Sequence, residues 1–100
     1  MDLDLALKAL DNAHRRAVLS AMRDPRGHFN PSAGIDPVTD GVCVLQISEL
    51  LGVNQSTAST YMSILRDAGL VKAARVGKYT LYKRDEQAVA AVASAIIRDL

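Results

Sequence analysis

Five residues between positions 55 and 63 carry small, uncharged hydrogen-bonding side chains at helical spacing. They are Gln55, Ser56, Ser59, Thr60 and Ser63. A Gln amide can bond adenine through a donor and an acceptor, and hydroxyl groups can bond bases or phosphates. The pattern therefore predicts a helix face that enters the major groove of DNA, with its N-terminal end at the base edges. A Ser/Thr-rich face is also compatible with an ordinary solvent-exposed helix.

Cationic residues follow this segment along the chain. From position 66 to 84 there are six basic residues and a single acid. Arg75 and Lys78 lie on either side of a Val-Gly pair, and Tyr79 comes next. Gly77 at the first central position is typical of a two-residue type II′ hairpin turn. We therefore predict a cationic hairpin tip that contacts the DNA backbone or the minor groove beside the helix.

The hydrophobic pattern predicts the element that positions the polar face. Ala58, Met62 and Leu65 repeat at helical spacing, which indicates a helix over 55–67 with these residues on its inner side. Asn54 is a suitable N-cap for this helix. The polar residues then lie on the opposite, solvent-facing side.

The neighbouring patterns complete a winged helix. A short apolar stripe ends at Gly52, and the three-residue join to the next helix is typical of a helix-turn-helix, here 46–68. Alternating β-prone residues indicate a hairpin wing over 70–84, and the β-prone run 42–44 is available as a third strand. Asp85 can cap a last helix over 85–99.

Two helices, over about 2–11 and 13–23, are predicted before a long irregular segment. All three prolines of the chain fall within 24–41, together with three glycines, so we expect neither a helix nor a central strand there. A surface loop that packs locally is the favoured interpretation, and a loop that contacts a ligand is the alternative. The predicted fold is mainly α with a small β-hairpin, in the order α-α-(β)-α-α-β-β-α, as one domain over 1–100.

Length and composition exclude several classes of protein. One hundred residues with 49% hydrophobic and 23% charged side chains are typical of a single globular domain. The aromatic content of 4% argues against a module that stacks bases on aromatic rings. The longest apolar stretch, 88–97, is too short to span a membrane, so we expect a cytoplasmic protein. The sequence contains neither a Gly-rich phosphate loop nor a paired acid and base, which are motifs that would indicate an enzyme.

The combined pattern resembles that of ArsR-type (ArsR/SmtB) repressors. The resemblance rests on the chain opening at 7–19, the helix-turn-helix at 43–59, the helix end at 65–71 and the wing at 75–82. It implies a homodimeric winged-helix transcriptional regulator of double-stranded operator DNA, usually a repressor released by an inducer. It also implies that Gln55, Ser56, Ser59 and Thr60 read DNA. The inducer and the operator sequence are not implied.

The resemblance also points to a sensor position, from which this chain departs. Where the family has two cysteines one residue apart, this chain has Cys43 and then Leu45, and the last helix lacks histidine. A zinc or thiophilic ion requires three or four ligands, so no metal and no cofactor are expected. Cys43 between two valines is interpreted as a small buried hydrophobe, with a redox-active or metal-responsive thiol as the alternative.

The last helix has apolar residues on more sides than one small core can cover. Many of them are alanines, which permit close approach of a second helix. We therefore predict a homodimer, since winged helices of this size pair to reach two half-sites. The predicted interface residues are Leu3, Leu7, Val89, Val92, Ala93 and Ile96. The main competing hypothesis is a winged-helix module that binds another protein instead of DNA.

Overall fold

The structure, a computed structural model, describes all 100 residues. Six helices and three strands follow one another along the chain. They are α1 (Leu3–Leu10), α2 (Ala13–Ala21), α3 (Pro25–His28), β1 (Val42–Cys43), α4 (Val44–Leu51), α5 (Gln55–Asp67), β2 (Val71–Val76), β3 (Tyr79–Arg84) and α6 (Glu86–Asp99). The predicted winged-helix order is confirmed, with α3 as an addition in the irregular segment.

Polar N-caps start four of the helices, among them the predicted caps of α5 and α6, and Asp2 caps α1. Side-chain oxygens of Asn12, Asn54 and Asp85 accept hydrogen bonds from backbone N–H groups three residues on, at 3.0, 2.8 and 3.0 Å. These bonds satisfy donors that the first turn of a helix leaves unpaired. Helix α4 begins at Val44, two residues before the predicted start, so the β-prone run ends at Cys43.

The sheet is antiparallel, with the strand order β1-β3-β2. Val42 pairs with Tyr82, so the predicted third strand joins the hairpin. At the tip, Val76 pairs with Tyr79 across a two-residue turn. Gly77 has φ +60°, while no residue other than glycine has a positive φ. This combination matches the predicted type II′ turn, in which only the first central residue has φ above zero.

The core lies between α5, the sheet and the first two helices. The inner stripe of α5 is fully buried, with Ala58, Met62 and Leu65 each 0% exposed. Ile47 of α4 and Val18 of α2 pack in the same cluster. Apolar burial on one side of α5 holds its polar side in solvent, because the two sides are separated by the helical period.

The segment 24–41 differs from the prediction in two ways. It contains the one-turn helix α3, which begins at Pro25. Proline is tolerated at the first helical position because the N–H that it lacks has no partner there. The segment is also tied to the body of the protein, since Phe29 is buried in the core and the Gln46 side-chain amide donates to the Asn30 carbonyl at 2.7 Å.

Candidate nucleic-acid interface

The outer side of α5 presents the polar residues that the sequence singles out. Gln55, Ser56 and Thr60 are exposed, and Ser59 and Ser63 are half-buried. The Thr60 hydroxyl donates to the Ser56 carbonyl one turn earlier, at 3.1 Å, so its remaining lone pairs face outward as acceptors. The first turn of α5 contains no acid, which leaves the positive end of the helix dipole available to a phosphate.

An aromatic contact holds the middle of α5 against α2. The Tyr61 hydroxyl lies 3.4 Å from His14 Nδ1, and the two rings meet edge to face with centroids 5.7 Å apart. The Arg15 guanidinium lies 5.7 Å from the centre of the same ring. Arg15 also donates to the Ala9 carbonyl at 2.7 Å, which ties the end of α1 to this cluster. The orientation of α5 is therefore set by side chains as well as by its buried stripe.

The wing tip carries unpaired positive charge. Arg75, Lys78 and Tyr79 are all exposed, and neither cation forms an ion pair within the chain. Arg75 Nε donates to the Gly77 carbonyl at 3.1 Å, and Lys78 Nζ lies 5.4 Å from the centre of the Tyr79 ring. These contacts shape the tip and leave most of its N–H donors available to an anion.

A groove of about 310 Å³ joins the two parts of the predicted surface. It brings Gln55, at the start of α5, together with Arg75, Lys78 and Tyr79 of the wing. Leu45 also lines the groove, and half of its surface is exposed. The sequence analysis did not assign Leu45 to this site. Its position outside the Ile47, Leu50 and Leu51 stripe is the signal that marks it as outward-facing.

Cys43 also lines this groove, but it is almost fully buried. Its residue is 5% exposed, and its backbone N–H donates to the Gln46 amide oxygen at 2.9 Å. The interpretation of Cys43 as a small buried hydrophobe agrees with this burial. The chain has no group of three His, Cys, Asp or Glu residues placed to hold a metal ion. None of its helices has the length and apolarity to cross a membrane.

The residues assigned to a dimer interface divide into three groups in the structure. Leu7 and Ala93 are exposed, and Leu3, Val89 and Ile96 are half-buried against the protomer's own core. The structure corrects the assignment of Val92 to the interface. Val92 is 4% exposed and packs within the core cluster, so almost none of its surface can contact a second subunit. Helical spacing shows that Val92 shares a face with Val89 and Ile96 but does not show which side that face covers. Leu5 and Ile97, which the sequence analysis did not select, are more exposed than Leu7.

Comparison with known proteins agrees with this geometry. The family described as "Bacterial regulatory protein, arsR family" matches residues 42–73, which contain the helix-turn-helix. The HTH-type transcriptional regulator YbzH of Bacillus subtilis (strain 168) is 54% identical over 86 residues, 86% of each chain. The chain belongs to the ArsR family. As an ArsR-family protein it is a transcriptional regulator with a DNA-binding winged helix-turn-helix fold, and not an enzyme.

Solved structures share this fold along nearly the whole ArsR-family chain. The crystal structure of an ArsR family transcriptional regulator gives a TM-score of 0.70 at 18% identity, over 96% of this chain and 84% of that one. The homodimeric winged helix-turn-helix DNA-binding domain Mb0332 from Mycobacterium bovis gives 0.62 at 25% identity, over 96% and 79% of the two chains.

Proposed function

We propose that this protein is a homodimeric transcriptional repressor that binds an imperfect inverted-repeat operator. Helix α5 would lie in the major groove, and the wing would contact the flanking backbone or minor groove. One observation carries this proposal: the groove that places Gln55 beside the unpaired cations Arg75 and Lys78. Such a repressor would act in the cytoplasm.

The side chains of the interface divide into two roles. Gln55 and Ser56, at the N-terminal end of α5, would contact base edges, and Ser59 and Thr60 would contact the next bases along the major groove. Arg75, Lys78 and Tyr79 would contact phosphates, to which cations bind without regard to sequence. Ser63, in the C-terminal half of the helix and half-buried, would contact a phosphate at the edge of the groove.

The proposed dimer rests on an apolar face shared by α1 and α6, which contact each other. On this face Leu7 and Ile97 are 38% and 84% exposed, and Ala93, one turn before Ile97 on α6, is also exposed. Leu5 is 45% exposed but lies two residues from Leu7, and therefore on another side of α1. Burial of such side chains in a second copy stabilises the pair through the hydrophobic effect. The M. bovis relative is homodimeric, and a two-fold symmetric dimer reads two half-sites about one DNA turn apart.

A selection of random duplexes on the purified protein, followed by fluorescence anisotropy on the selected sequence, tests DNA recognition. Four phosphate contacts, from Arg75 and Lys78 in each protomer, predict that log affinity falls with log salt with a slope of about −3.6. Lys78→Gln should weaken all sequences alike and reduce the slope by about 1.8. Gln55→Ala should instead cost about 1–3 kcal/mol on the selected sequence only and relax one position in each half-site.

Lys72→Gln is the matched control, because it removes the same charge from the base of the hairpin, where Lys72 lies 3.9 Å from the Asp85 carboxylate. We expect it to change the slope much less than Lys78→Gln does. Absence of duplex binding at low salt would overturn the proposal and favour a protein-binding module. Equal slopes of log affinity against log salt for the Lys72 and Lys78 variants would contradict a contact between the wing tip and DNA.

Ile97→Glu tests the dimer by analytical ultracentrifugation. A carboxylate in an apolar interface is costly to bury, so we expect a monomer that retains its fold and binds the inverted repeat at least about tenfold more weakly. Val38→Glu introduces the same charge at another exposed apolar residue, in the segment 24–41, and should leave the dimer intact. A dimeric Ile97→Glu variant would place the interface elsewhere.

A further inference from the structure

A second cavity, of about 270 Å³, lies on the side of the protein formed by the segment 24–41. Its walls come from the end of α2, the start of α6, strands β1 and β3, and the irregular segment. The lining residues are Met22, Arg23, Pro25, Pro37, Val38, Val42, Tyr82, Lys83, Arg84 and Glu86. None of the residues assigned above to DNA binding belongs to this set.

Hydrogen bonds hold the wall that the irregular segment contributes. The Asp36 carboxylate accepts from the Arg26 guanidinium at 2.9 Å and from the Val38 backbone N–H at 2.8 Å. Lys83 Nζ, on β3, donates to the Thr39 carbonyl at 3.1 Å and so joins this wall to the sheet. The cavity is therefore bounded by an ordered turn that side chains on both of its flanks tie down.

The rim of the cavity is cationic, and one cation is free. Arg84 is occupied, because it pairs with Glu86 and donates to the Leu19 carbonyl at 3.1 Å. The Arg23 side chain makes no hydrogen bond and no ion pair within the chain, and only its backbone N–H is bonded, to the Ser20 carbonyl at 3.1 Å. Lys83 uses one of its three donors on Thr39. An anion at this rim would meet an unoccupied guanidinium and an ammonium group with donors to spare.

The floor of the cavity is apolar. Met22, Val42 and the body of Tyr82 are buried side chains of the core that reach its inner surface. Pro37 and Val38 add apolar contacts from the opposite wall. Sites for small molecules combine such an apolar lining with a few charged groups that orient the ligand.

We propose that this cavity binds a small organic carboxylate with an apolar body. The planar Arg23 fork matches a carboxylate, and the Glu86 carboxylate on the same rim disfavours a doubly charged phosphate. The volume corresponds to about nine water molecules at about 30 Å³ each, which suits a molecule the size of benzoate. The carboxylate lies at Arg23 and Lys83, and the apolar body lies over Met22 and Val42.

The cavity is connected to the DNA-facing surface by two strands. Strand β1 contributes Val42 to the cavity and continues directly into α4, the first helix of the helix-turn-helix. Strand β3 contributes Tyr82 and Lys83 and begins at Tyr79 of the wing. A ligand that shifts these strands would alter DNA affinity, which makes the cavity an effector site. This second step rests on the proposed DNA-binding function.

Titration of the full-length ¹⁵N-labelled protein with benzoate, followed by NMR, tests the ligand site without DNA. We expect shifts of the backbone amides of Arg23, Val38 and Lys83 that saturate at millimolar benzoate. Benzamide has nearly the same shape without the charge and should bind at least about tenfold more weakly, since its amide cannot form the charge-assisted, bidentate bonds of a carboxylate. Acetate has the charge without the apolar body and should also bind more weakly.

Arg23→Gln is the decisive variant, because Arg23 has no internal partner whose loss would unfold the protein. We expect benzoate affinity to fall at least about tenfold, whereas Arg98→Gln, an equal charge change at the far end of α6, leaves it unchanged. Benzoate and benzamide of equal affinity, no localised shifts, or an unaffected Arg23→Gln variant would each overturn the site.

Anisotropy on the selected operator, with and without saturating benzoate, tests the effector role. We expect operator affinity to change at least about fivefold in the parent protein and not in Arg23→Gln, because the coupling between two sites is commonly about 5- to 150-fold. Benzoate binding with unchanged operator affinity would overturn the effector role alone. Failure of DNA binding itself would be seen in the absence of benzoate.

Discussion

Two regions of the molecule are polar: the surface formed by the outer side of α5 and the wing tip, and the segment 24–41. Their side chains have different hydrogen-bond partners. On the proposed DNA-facing surface, Arg75 and Lys78 form no ion pair, and the Thr60 hydroxyl bonds only within its own helix. In the segment 24–41, Asp36 alone accepts bonds from Arg26, Val38 and Thr39. Donors left free are available to a partner, whereas donors satisfied internally order the chain. Substitutions should therefore affect binding in the first region and stability in the second.

Phe29→Ala should give the largest effect on stability. The side chain of Phe29 is 6% exposed and anchors the segment 24–41 in the core. Its removal leaves a cavity and should lower the free energy of unfolding by about 3–5 kcal/mol in urea denaturation. Leu45→Ala, on the DNA-facing groove, should change it by about 0.5 kcal/mol or less. Similar losses of unfolding free energy for the two variants would contradict the expected difference in stability effects between the two regions.

Gly41→Ala tests where the segment rejoins the sheet. Gly41 has φ +107°, and a Cβ at this position would lie 2.6 Å from the Tyr82 carbonyl oxygen. Strain and clash together should cost about 1–3 kcal/mol or more of unfolding free energy. Gly34→Ala is the control, since Gly34 also has a positive φ but has open space around its Cα. The extra cost at Gly41, measured by thermal or urea unfolding, isolates the contact with β3.

Asn54→Ala tests the cap that fixes the start of α5. Loss of the bond to the Thr57 N–H should lower the unfolding free energy by about 1 kcal/mol. Operator affinity should fall as well, because the frayed first turn carries Gln55 and Ser56. Asp85→Ala removes an equivalent cap from α6 and should match the stability loss while retaining more DNA affinity. Equal losses of DNA affinity would contradict a specific role for the first turn of α5.

The pH dependence of stability gives the smallest expected effect. The Val38 N–H bond, assisted by Thr39 and by the Arg26 charge, holds the pKa of Asp36 below its ordinary value of 3.8, against an opposing effect of desolvation. A lowered folded-state pKa stabilises the fold above the unfolded value, and this contribution disappears as the pH falls through the folded value. Urea unfolding at stepwise lower pH should show this loss in the parent protein and not in Asp36→Asn. An unchanged profile in the variant would contradict the assignment.

Local rules were sufficient to predict most of the proposed DNA-facing surface. The predicted bounds of α5 are those of the structure, because the cap at Asn54 and the stripe ending at Leu65 act within one helix. The hairpin turn was predicted from Gly77, because the turn type also depends only on residues that are neighbours in the sequence. The predictions fail where contacts between residues far apart in the sequence decide the structure. Val92 was placed on the surface because periodicity identifies an apolar face without showing what covers it.

The sequence by itself determined the order of the elements, the helix caps, the polar side of α5 and the cationic wing, because each depends on side chains a few residues apart. Only the tertiary structure decided that the segment 24–41 is anchored, that it forms one wall of a cavity and that the free Arg23 side chain and Lys83 line that cavity. Those features depend on bonds between residues far apart in the chain, such as Gln46 to Asn30 and Lys83 to Thr39. Sequence patterns carry little information about such pairs, because the geometry that joins them exists only after the core has formed.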